Sequence, residues 1–222
     1  MQTPAEKYLV QRLVSFLRSQ HGADPPVLDV GAGTSVSIET QLSDGGCTYV
    51  CDRIDVEDCT VDHPSVRNCW HGSIDDMAAV PSDGYRAVFA NYVLEHVEDL
   101  AAAAREIHRV LSPGGLFIAT LPDPSAPEFV LAKRTPLWFH RLIRREHGWE
   151  THYAYRTIPA LLDILSDAGL EIAEVKRWSF LEGYLGKYPV AGFIGRLYDR
   201  IAGSCNIERC QGNVCVICRR PA

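Results

Sequence analysis

The chain has 222 residues, of which 46% are hydrophobic and 23% charged, and its formal net charge is −6. Those proportions are typical of an ordinary globular domain with one sizeable core. The negative charge argues against broad non-specific binding to nucleic acid. No apolar run reaches the roughly 18 residues needed to span a bilayer, and the N-terminus lacks a secretory apolar segment. We therefore expect a single cytoplasmic domain over residues 1–222.

Short apolar strands alternate with amphipathic helices along the whole chain. Helices are predicted over about Ala5–Ser19, Asp99–Leu111 and Thr157–Ala168. Strands are predicted at Pro26–Val30, Thr48–Cys51, Val66–Trp70, Arg86–Ala90, Leu116–Leu121, Leu170–Val175 and Asn213–Ile217. Strands interleaved with helices in this way predict an α/β fold with a mostly parallel sheet.

Two long excursions interrupt this alternation, at about 124–156 and 180–205. The first is rich in aromatic residues and arginines. The second contains an apolar stripe at helical spacing, formed by Val190, Phe193, Ile194, Leu197, Tyr198 and Ile201. For the arginines we favour a solvated face with stems packed over the core, and for the stripe packing on the domain. The less favoured alternative for the arginine-rich excursion is a lid that recognises an anionic or lipid-like acceptor or rests on an anionic membrane surface. For the stripe it is contact with a membrane or a partner.

Eight cysteines raise the question of a metal site. In a cytosolic chain disulfides are disfavoured, but Cys215 and Cys218 form a CxxC pair typical of zinc ligands. A strand through this segment would place the two thiols on opposite faces. We favour buried thiols that act as small apolar residues, and we predict no metal site. Whether the last four cysteines do more than pack is not specified by the sequence: Cys205, Cys210, Cys215 and Cys218.

The stretch VLDVGAGTS, from Val27 to Ser35, follows the first predicted strand. Gly31 and Gly33 allow a sharp turn and a close approach of a ligand to the backbone. The third glycine of a GxGxxG loop is missing, since Val36 stands in its place. An acid about 20 residues further on commonly binds the ribose of an adenosine ligand, and Asp52 is the candidate at the predicted end of the second strand.

Asp29 helps to distinguish between adenosine cofactors. A dinucleotide would place a pyrophosphate beside this carboxylate, which would repel it. S-adenosylmethionine has no phosphate and carries a cationic amino group and a sulfonium. The alternative for Asp29 is a carboxylate that binds amides of the loop itself. The chain also lacks the Tyr-x-x-x-Lys pair of short-chain nicotinamide oxidoreductases.

These segments resemble class I S-adenosylmethionine-dependent methyltransferases. VLDVGAGTS is similar to their cofactor loop, and GSIDDM (Gly72–Met77) resembles their adenine-contacting turn. The segment from Ala87 to Pro124 closely resembles the strand-four to strand-five region of the small-molecule, type 11-like branch. The resemblance implies a Rossmann-like seven-stranded sheet in the order 3-2-1-4-5-7-6, with strand seven antiparallel and helices on both faces. It also implies S-adenosylmethionine as cofactor.

The resemblance implies a set of cofactor-binding residues as well. They are Asp29, Gly31, Ala32, Gly33, Asp52, Arg53, Ser73, Ile74, Asn91 and Tyr92. Two positions depart from the family pattern. Ser35 stands where many members have a further glycine, and Ser73 replaces a common aspartate. Adenine recognition would then depend on packing of Ile74 and on backbone groups.

Methyl transfer from a sulfonium needs mainly alignment of the nucleophile. His96, after strand four, is the candidate general base because its ordinary pKa suits proton transfer near neutrality. Its alternative role is to begin a helix and bind neighbouring backbone. We expect in-line transfer to an oxygen, nitrogen or carbon of a small-molecule acceptor. A noncatalytic S-adenosylmethionine-binding module acting through a partner is the alternative.

Nucleic acid is not expected as the acceptor. Besides the net charge, strand four is followed by Asn91-Tyr92-Val93 and not by an Asn/Asp-Pro-Pro-Tyr type motif. The acceptor, the oligomeric state and the pathway are not specified by the sequence.

Overall fold

The computed structural model describes residues 2–20, 24–127, 129–130 and 153–222. Most of the first predicted excursion, about 124–156, therefore lies outside the described residues. The strands are β1 (Pro26–Val30), β2 (Val50–Asp55), β3 (Val66–His71), β4 (Tyr85–Asn91), β5 (Leu111–Pro122), β6 (Glu171–Trp178) and β7 (Asn213–Arg219). The helices are α1 (Pro4–Ser19), α2 (Ser37–Asp44), α3 (Leu100–Val110), α4 (Ile158–Asp167), α5 (Leu181–Leu185) and α6 (Pro189–Ser204). Short 3-10 turns cover Leu94–His96 and Glu208–Cys210.

The strands form one seven-stranded sheet in the order β3-β2-β1-β4-β5-β7-β6. Strand β7 pairs antiparallel with both β5 and β6, and the remaining pairs are parallel. The predicted fold class and strand order are confirmed. Because β1 to β4 run in the same direction, their carboxyl ends meet at one edge of the sheet, where open α/β sheets bind ligands.

Apolar side chains cover both faces of this sheet. Residues of α1 and α2, such as Leu13 and Leu42, pack on one face, and residues of α3 and α4, such as Ile107 and Leu161, pack on the other. Neighbouring residues along a central strand, such as Val88 and Phe89, point to different layers, and both are fully buried. This burial on both faces explains why the central strands are continuous apolar runs in the sequence.

Strand β2 extends further than its sequence pattern predicts. It was expected to end at Cys51 and ends at Asp55. The polar pair Asp52 and Arg53 looks like the start of a turn, but both side chains are buried and paired inside the strand. Partners from other parts of the fold thus keep charged residues within the strand. As a result, β2 ends four residues later than predicted, and Asp52 lies inside the strand and not at its end.

The CxxC pair divides between the two layers, as predicted for a strand. Cys215 belongs to the α1-side layer and Cys218 to the opposite layer, and both are fully buried. Burial raises the pKa of the Cys218 thiol to about 12, so that the thiol is neutral at physiological pH. The two sulfurs cannot share a ligand. Within the described part of the chain, no three His, Cys, Asp or Glu side chains come together as a metal site requires.

The second excursion forms α5 and α6, and its apolar stripe is not packed on the domain. Side chains along α6 that were expected to face the core are exposed: Val190, Phe193, Ile194, Leu197 and Ile201. The prediction was wrong because the opposite face of α6, made of small residues, contacts α5. None of the helices within the described ranges is both long and apolar enough to cross a membrane.

Candidate cofactor and acceptor site

A cleft of about 430 Å³ opens at the carboxyl edge of the sheet. It lies where the strand order reverses, between β1 with its neighbour β2 on one side and β4 on the other. Its lining comes from the ends of these strands and of β3: Gly31, Ile54, Asp55, Val56, Gly72, Ser73, Ile74, Asp75, Tyr92, Val93, His96, Val97 and Glu98. The cleft therefore combines apolar side chains with three carboxylates and one imidazole.

The glycine loop forms one wall of this cleft. Gly31 and Gly33 have φ values of +67° and +53°, in the left-handed region that favours glycine. A Cβ on Gly31 would lie 2.4 Å from Val93 Cγ2, so this position also needs glycine for space. A Cβ on Gly33 would meet no atom within 4 Å. The backbone at Gly33 is thus open to a ligand, whereas Gly31 allows the loop to pass close to the β4 side of the cleft.

Asp55 is the acid that lies at the end of β2. Its Oδ2 accepts a hydrogen bond from the Gly33 amide at 2.8 Å, and its Oδ1 accepts one from the Glu57 amide at 2.9 Å. The side chain lines the cleft beside the glycine loop. Asp55 therefore has the position that the sequence analysis assigned to Asp52. The signal for it was present in the sequence, as a second acid three residues after the first.

Asp52 itself lies inside β2 and does not line the cleft. Its carboxylate accepts hydrogen bonds from Arg67 at 2.7 and 3.1 Å, from Asn68 at 3.0 Å and from the Tyr85 hydroxyl at 2.8 Å. Only 1% of the residue is exposed. The predicted position of Asp52 at a strand end was wrong, because β2 continues to Asp55.

Asp29 and Arg53 also lie beneath the loop and not in the cleft. The Arg53 Nε lies 3.6 Å from Asp29 Oδ2 and 3.2 Å from Glu39 Oε1, and all three side chains are buried. The Arg53 Nη2 donates to the carbonyls of Ala32 at 2.8 Å and Ser35 at 2.6 Å. The guanidinium therefore holds the loop through its carbonyl groups. The sequence did not predict this role of Arg53, nor that Glu39 lies next to it.

The charge state of Asp29 follows from this burial. Burial raises the pKa of Asp29 well above its ordinary value, and the negative charge of Glu39 raises it further, while Arg53 opposes the rise. Asp29 was predicted to attract a cationic cofactor, but its carboxyl group is buried next to Arg53 and does not line the cleft. Ala32 likewise contacts Arg53 and is not part of the cleft lining.

The turn after β3 forms the facing wall. Ser73 and Ile74 line the cleft, and the Gly72 amide donates to the Asp55 carbonyl at 3.0 Å, which holds the turn against β2. Ile54 and Ile74 are both buried and belong to the same apolar layer. Ile54 and Ile74 thus form an apolar part of the cleft next to Asp55, which we call the apolar slot.

Strand β4 contributes the residues on the far side. Asn91 is outside the lining, and its Oδ1 accepts a hydrogen bond from Thr120 Oγ1 at 2.6 Å. Tyr92 lines the cleft with φ +58°, but its hydroxyl shares a 2.8 Å hydrogen bond with Thr3 Oγ1 and donates to Asn213 Oδ1 at 2.8 Å. His96, in the 3-10 turn, lines the cleft. Of the predicted site residues, the cleft thus brings together Gly31, Ser73, Ile74, Tyr92 and His96.

The strand order and the cleft between the glycine loop and the β3 turn define a Rossmann-like methyltransferase fold. The family model described as "Methyltransferase domain" matches residues 4–175. The chain belongs to this family and is an S-adenosylmethionine-dependent methyltransferase, as the sequence resemblance implied.

Known relatives agree with this assignment. The chain is 25% identical over 165 residues to the demethylmenaquinone methyltransferase of Chlorobaculum parvum, and the match covers 68% of each chain. It is similar in structure to an S-adenosylmethionine-dependent methyltransferase from Mesorhizobium loti, with a TM-score of 0.62, 16% identity and coverage of 97% and 98%. It is also similar to geranyl diphosphate C-methyltransferase from Streptomyces coelicolor A3(2), with a TM-score of 0.63, 15% identity and coverage of 97% and 76%.

Proposed function

We propose that the chain transfers the methyl group of S-adenosylmethionine to an oxygen, nitrogen or carbon nucleophile of a small organic molecule. The observation that carries the proposal is the position of Asp55. This carboxylate lies between the open backbone of Gly33 and the apolar slot formed by Ile54 and Ile74. An acid between a glycine turn and an apolar slot suits an adenosine ribose with its amino-acid tail on one side and its base on the other.

The residues of the cleft fit the cofactor part by part. The Asp55 carboxylate would accept hydrogen bonds from the ribose hydroxyls, and Ile54 and Ile74 would pack against adenine. The backbone around Gly33 would face the amino-acid tail, because no side chain fills the space there. When bound, the cofactor supplies the activated methyl group. The chain's own part is to orient the nucleophile in line with that methyl and to exclude water.

His96 is our proposed general base for acceptors that arrive protonated. It lines the same cleft from the turn after β4, on the side away from Asp55's strand. A neutral imidazole nitrogen can accept the proton of a nucleophile that lies within hydrogen-bond distance. The names of two similar proteins specify demethylmenaquinone and geranyl diphosphate as acceptors of those proteins. For this chain we infer from them a small organic molecule as the acceptor.

The activity is tested by incubating the full chain with methyl-labelled S-adenosylmethionine and a metabolite extract. We expect S-adenosylhomocysteine together with a labelled small molecule that mass spectrometry can identify. His96→Gln should keep the donor affinity and reduce turnover of a protonated acceptor by about 10²–10⁴-fold, the usual contribution of general-base catalysis. Donor binding without any turnover across diverse extracts would instead indicate the noncatalytic module.

The cofactor site is tested by Asp55→Asn. We expect the affinity for S-adenosylmethionine to fall by about 1–3 kcal/mol, since hydrogen bonds to a charged partner are lost. Titration calorimetry measures the change. Asp58→Asn, an exposed acid three residues further on, is the matched control and should bind like the parent. Asp52→Asn should lower stability and leave the affinity of the folded protein unchanged. Unaltered affinity in Asp55→Asn would remove this residue from the site.

A further inference from the structure

Helix α6 exposes its large apolar side chains. Val190, Phe193, Ile194, Leu197 and Ile201 are 77%, 66%, 57%, 50% and 49% exposed. Their spacing of three or four residues places all five on one side of the helix. We call this the α6 apolar face. A helix of a globular protein normally turns such a face to the core, so a contiguous exposed face of this kind indicates an interaction surface.

The opposite side of α6 is held against α5 by small residues. A Cβ on Gly195 would lie 2.7 Å from the Glu182 amide nitrogen, and one on Gly192 would lie 3.2 Å from the Gly186 Cα. Asp199 accepts hydrogen bonds from the amides of Leu181 and Glu182, both at 2.9 Å. Larger side chains do not fit at this contact. The rotation of α6 is therefore determined by its glycine side, and the outward direction of the apolar face follows from it.

Basic side chains accompany the apolar face. Arg196 and Arg200 are exposed and lie along one flank of it, and exposed Lys187 precedes the helix. Residues 180–210 contain four basic and three acidic side chains in a chain whose net charge is −6. Of the acids, Asp199 is directed to α5, and Glu182 pairs with Arg196 at 2.8 Å. The surroundings of the face are thus more positive than the rest of the chain.

The α5–α6 unit also lies beside the cleft. It connects the end of β6 to the start of β7, at the carboxyl edge of the sheet. The Tyr184 hydroxyl of α5 donates to Asn213 Oδ1 at 3.1 Å, and the hydroxyl of Tyr92, which lines the cleft, donates to the same oxygen at 2.8 Å. A surface that docks on the α6 apolar face would therefore lie next to the entrance of the site.

We propose that the α6 apolar face binds the surface of an anionic lipid bilayer. The helix would lie in the plane of the membrane, with Phe193 and its neighbours among the upper acyl chains and Arg200 and Lys187 at the level of the lipid phosphates. A second copy of the chain fits this face less well. Five side chains on one helix are few compared with the roughly 20–30 residues that a stable protein interface uses on each side.

The proposal is tested by co-sedimentation of the full chain with vesicles of phosphatidylcholine and phosphatidylglycerol, and with vesicles of phosphatidylcholine alone. We expect binding to the anionic vesicles. The double variant Phe193→Ser/Leu197→Ser should bind at least about tenfold more weakly, because two apolar side chains leave the interface. Arg200→Gln should weaken binding about fivefold on anionic vesicles only. Gly203→Ser is the matched control on the same helix, since its Cβ would meet no atom within 4 Å and lies off the apolar face.

Three results would overturn the proposal: no binding of the parent to anionic vesicles, equal binding by the parent and the double variant, or a lipid-free dimer in sedimentation velocity that the double variant dissociates. Circular dichroism checks the fold of each variant. If the double variant loses helicity, the single variants Phe193→Ser and Leu197→Ser replace it, and each should also bind more weakly than the parent. Vesicle binding requires no methyl transfer. Failure of the turnover assay would therefore leave this proposal standing, and failure here would leave the proposed activity standing.

Discussion

At the scale of single residues, the acids near the glycine loop have three different roles. Asp52 accepts hydrogen bonds from residues within the sheet, and Asp55 faces the cleft. Asp29 and Glu39 both lie next to the guanidinium group of Arg53. Two buried carboxylates beside a single Arg53 leave an excess of negative charge. Burial is the main physical reason for the raised pKa of Asp29, and this excess of negative charge beside Glu39 raises it further.

This raised pKa predicts a dependence of stability on pH. Between the ordinary Asp value of 3.8 and the higher native value, the folded chain holds a proton that the unfolded chain releases. The contribution of Asp29 to the free energy of unfolding is therefore lost as pH rises through that window, by at most about 1.4 kcal/mol per pH unit. Asp29→Asn should remove this loss, so its free energy of unfolding should fall less steeply with pH than that of the parent.

Denaturant titrations at a series of pH values from about 4 upward measure this slope. Asp24→Asn, an exposed aspartate in the loop before β1, should keep the parent's slope. If the curves of Asp29→Asn and the parent run parallel, the carboxyl of Asp29 is already ionised in the folded state and the interpretation of this cluster fails.

At the scale of elements, the packing of α6 on α5 depends on glycine. The close contact at Gly195 involves backbone atoms of Leu181 and Glu182, which cannot move aside as a flexible side chain would. Helix α5 has only five residues and no fully buried side chain, so it depends on this contact and on Asp199. The pair therefore acts as one unit.

Gly195→Ala should destabilise this unit by about 1–3 kcal/mol through overpacking. Gly203→Ala, on the same helix but in open space, should stabilise α6 by about 0.5–1 kcal/mol because alanine is the better helix former. Hydrogen exchange of the Leu181 and Glu182 amides reports the local effect: protection should fall in the first variant and persist in the second. Equal protection in both would show that the glycine contact is dispensable.

At the scale of the whole molecule, both apolar layers pack on one sheet. Hydrogen bonds at the carboxyl edge of this sheet connect residues that are distant in sequence. The Tyr92 hydroxyl forms hydrogen bonds with Thr3, which caps α1, and with Asn213, the first residue of β7. Trp70 lies on β3 at one edge of the sheet and Trp178 on β6 at the other. Because both apolar layers pack on the same sheet, loss of strands at either edge would expose apolar side chains of both layers.

We therefore expect residues 1–222 to unfold as one domain in a single transition. Fluorescence and far-ultraviolet circular dichroism should give the same denaturant midpoint within each of the variants Trp70→Phe and Trp178→Phe. S-adenosylmethionine at about 100 times its Kd should add roughly 2.7 kcal/mol to the free energy of unfolding by mass action. Separate midpoints for the two signals would divide the chain into more than one cooperative unit.

The sequence by itself determined the strand order, the glycine loop and much of the cleft. Runs of buried apolar residues mark β4 and β5 because both faces of these strands are covered, and Gly31 marks a turn that only glycine can make beside Val93. The resemblance to methyltransferases supplied the topology. The Gly72–Met77 match pointed to Ser73 and Ile74, and the position after strand four pointed to His96, and all three line the cleft.

Only the tertiary structure decided which acid faces the cleft and which way α6 points. The end of β2 depends on residues of other strands: Arg67 pairs its charge with Asp52, and the Tyr85 hydroxyl donates a hydrogen bond to it. A charged residue that looks like the start of a turn therefore stays inside the sheet. The direction of α6 depends on its glycine contact with α5. Periodicity shows which residues share a face, but what that face packs against is determined by residues distant in sequence, and no local pattern records them.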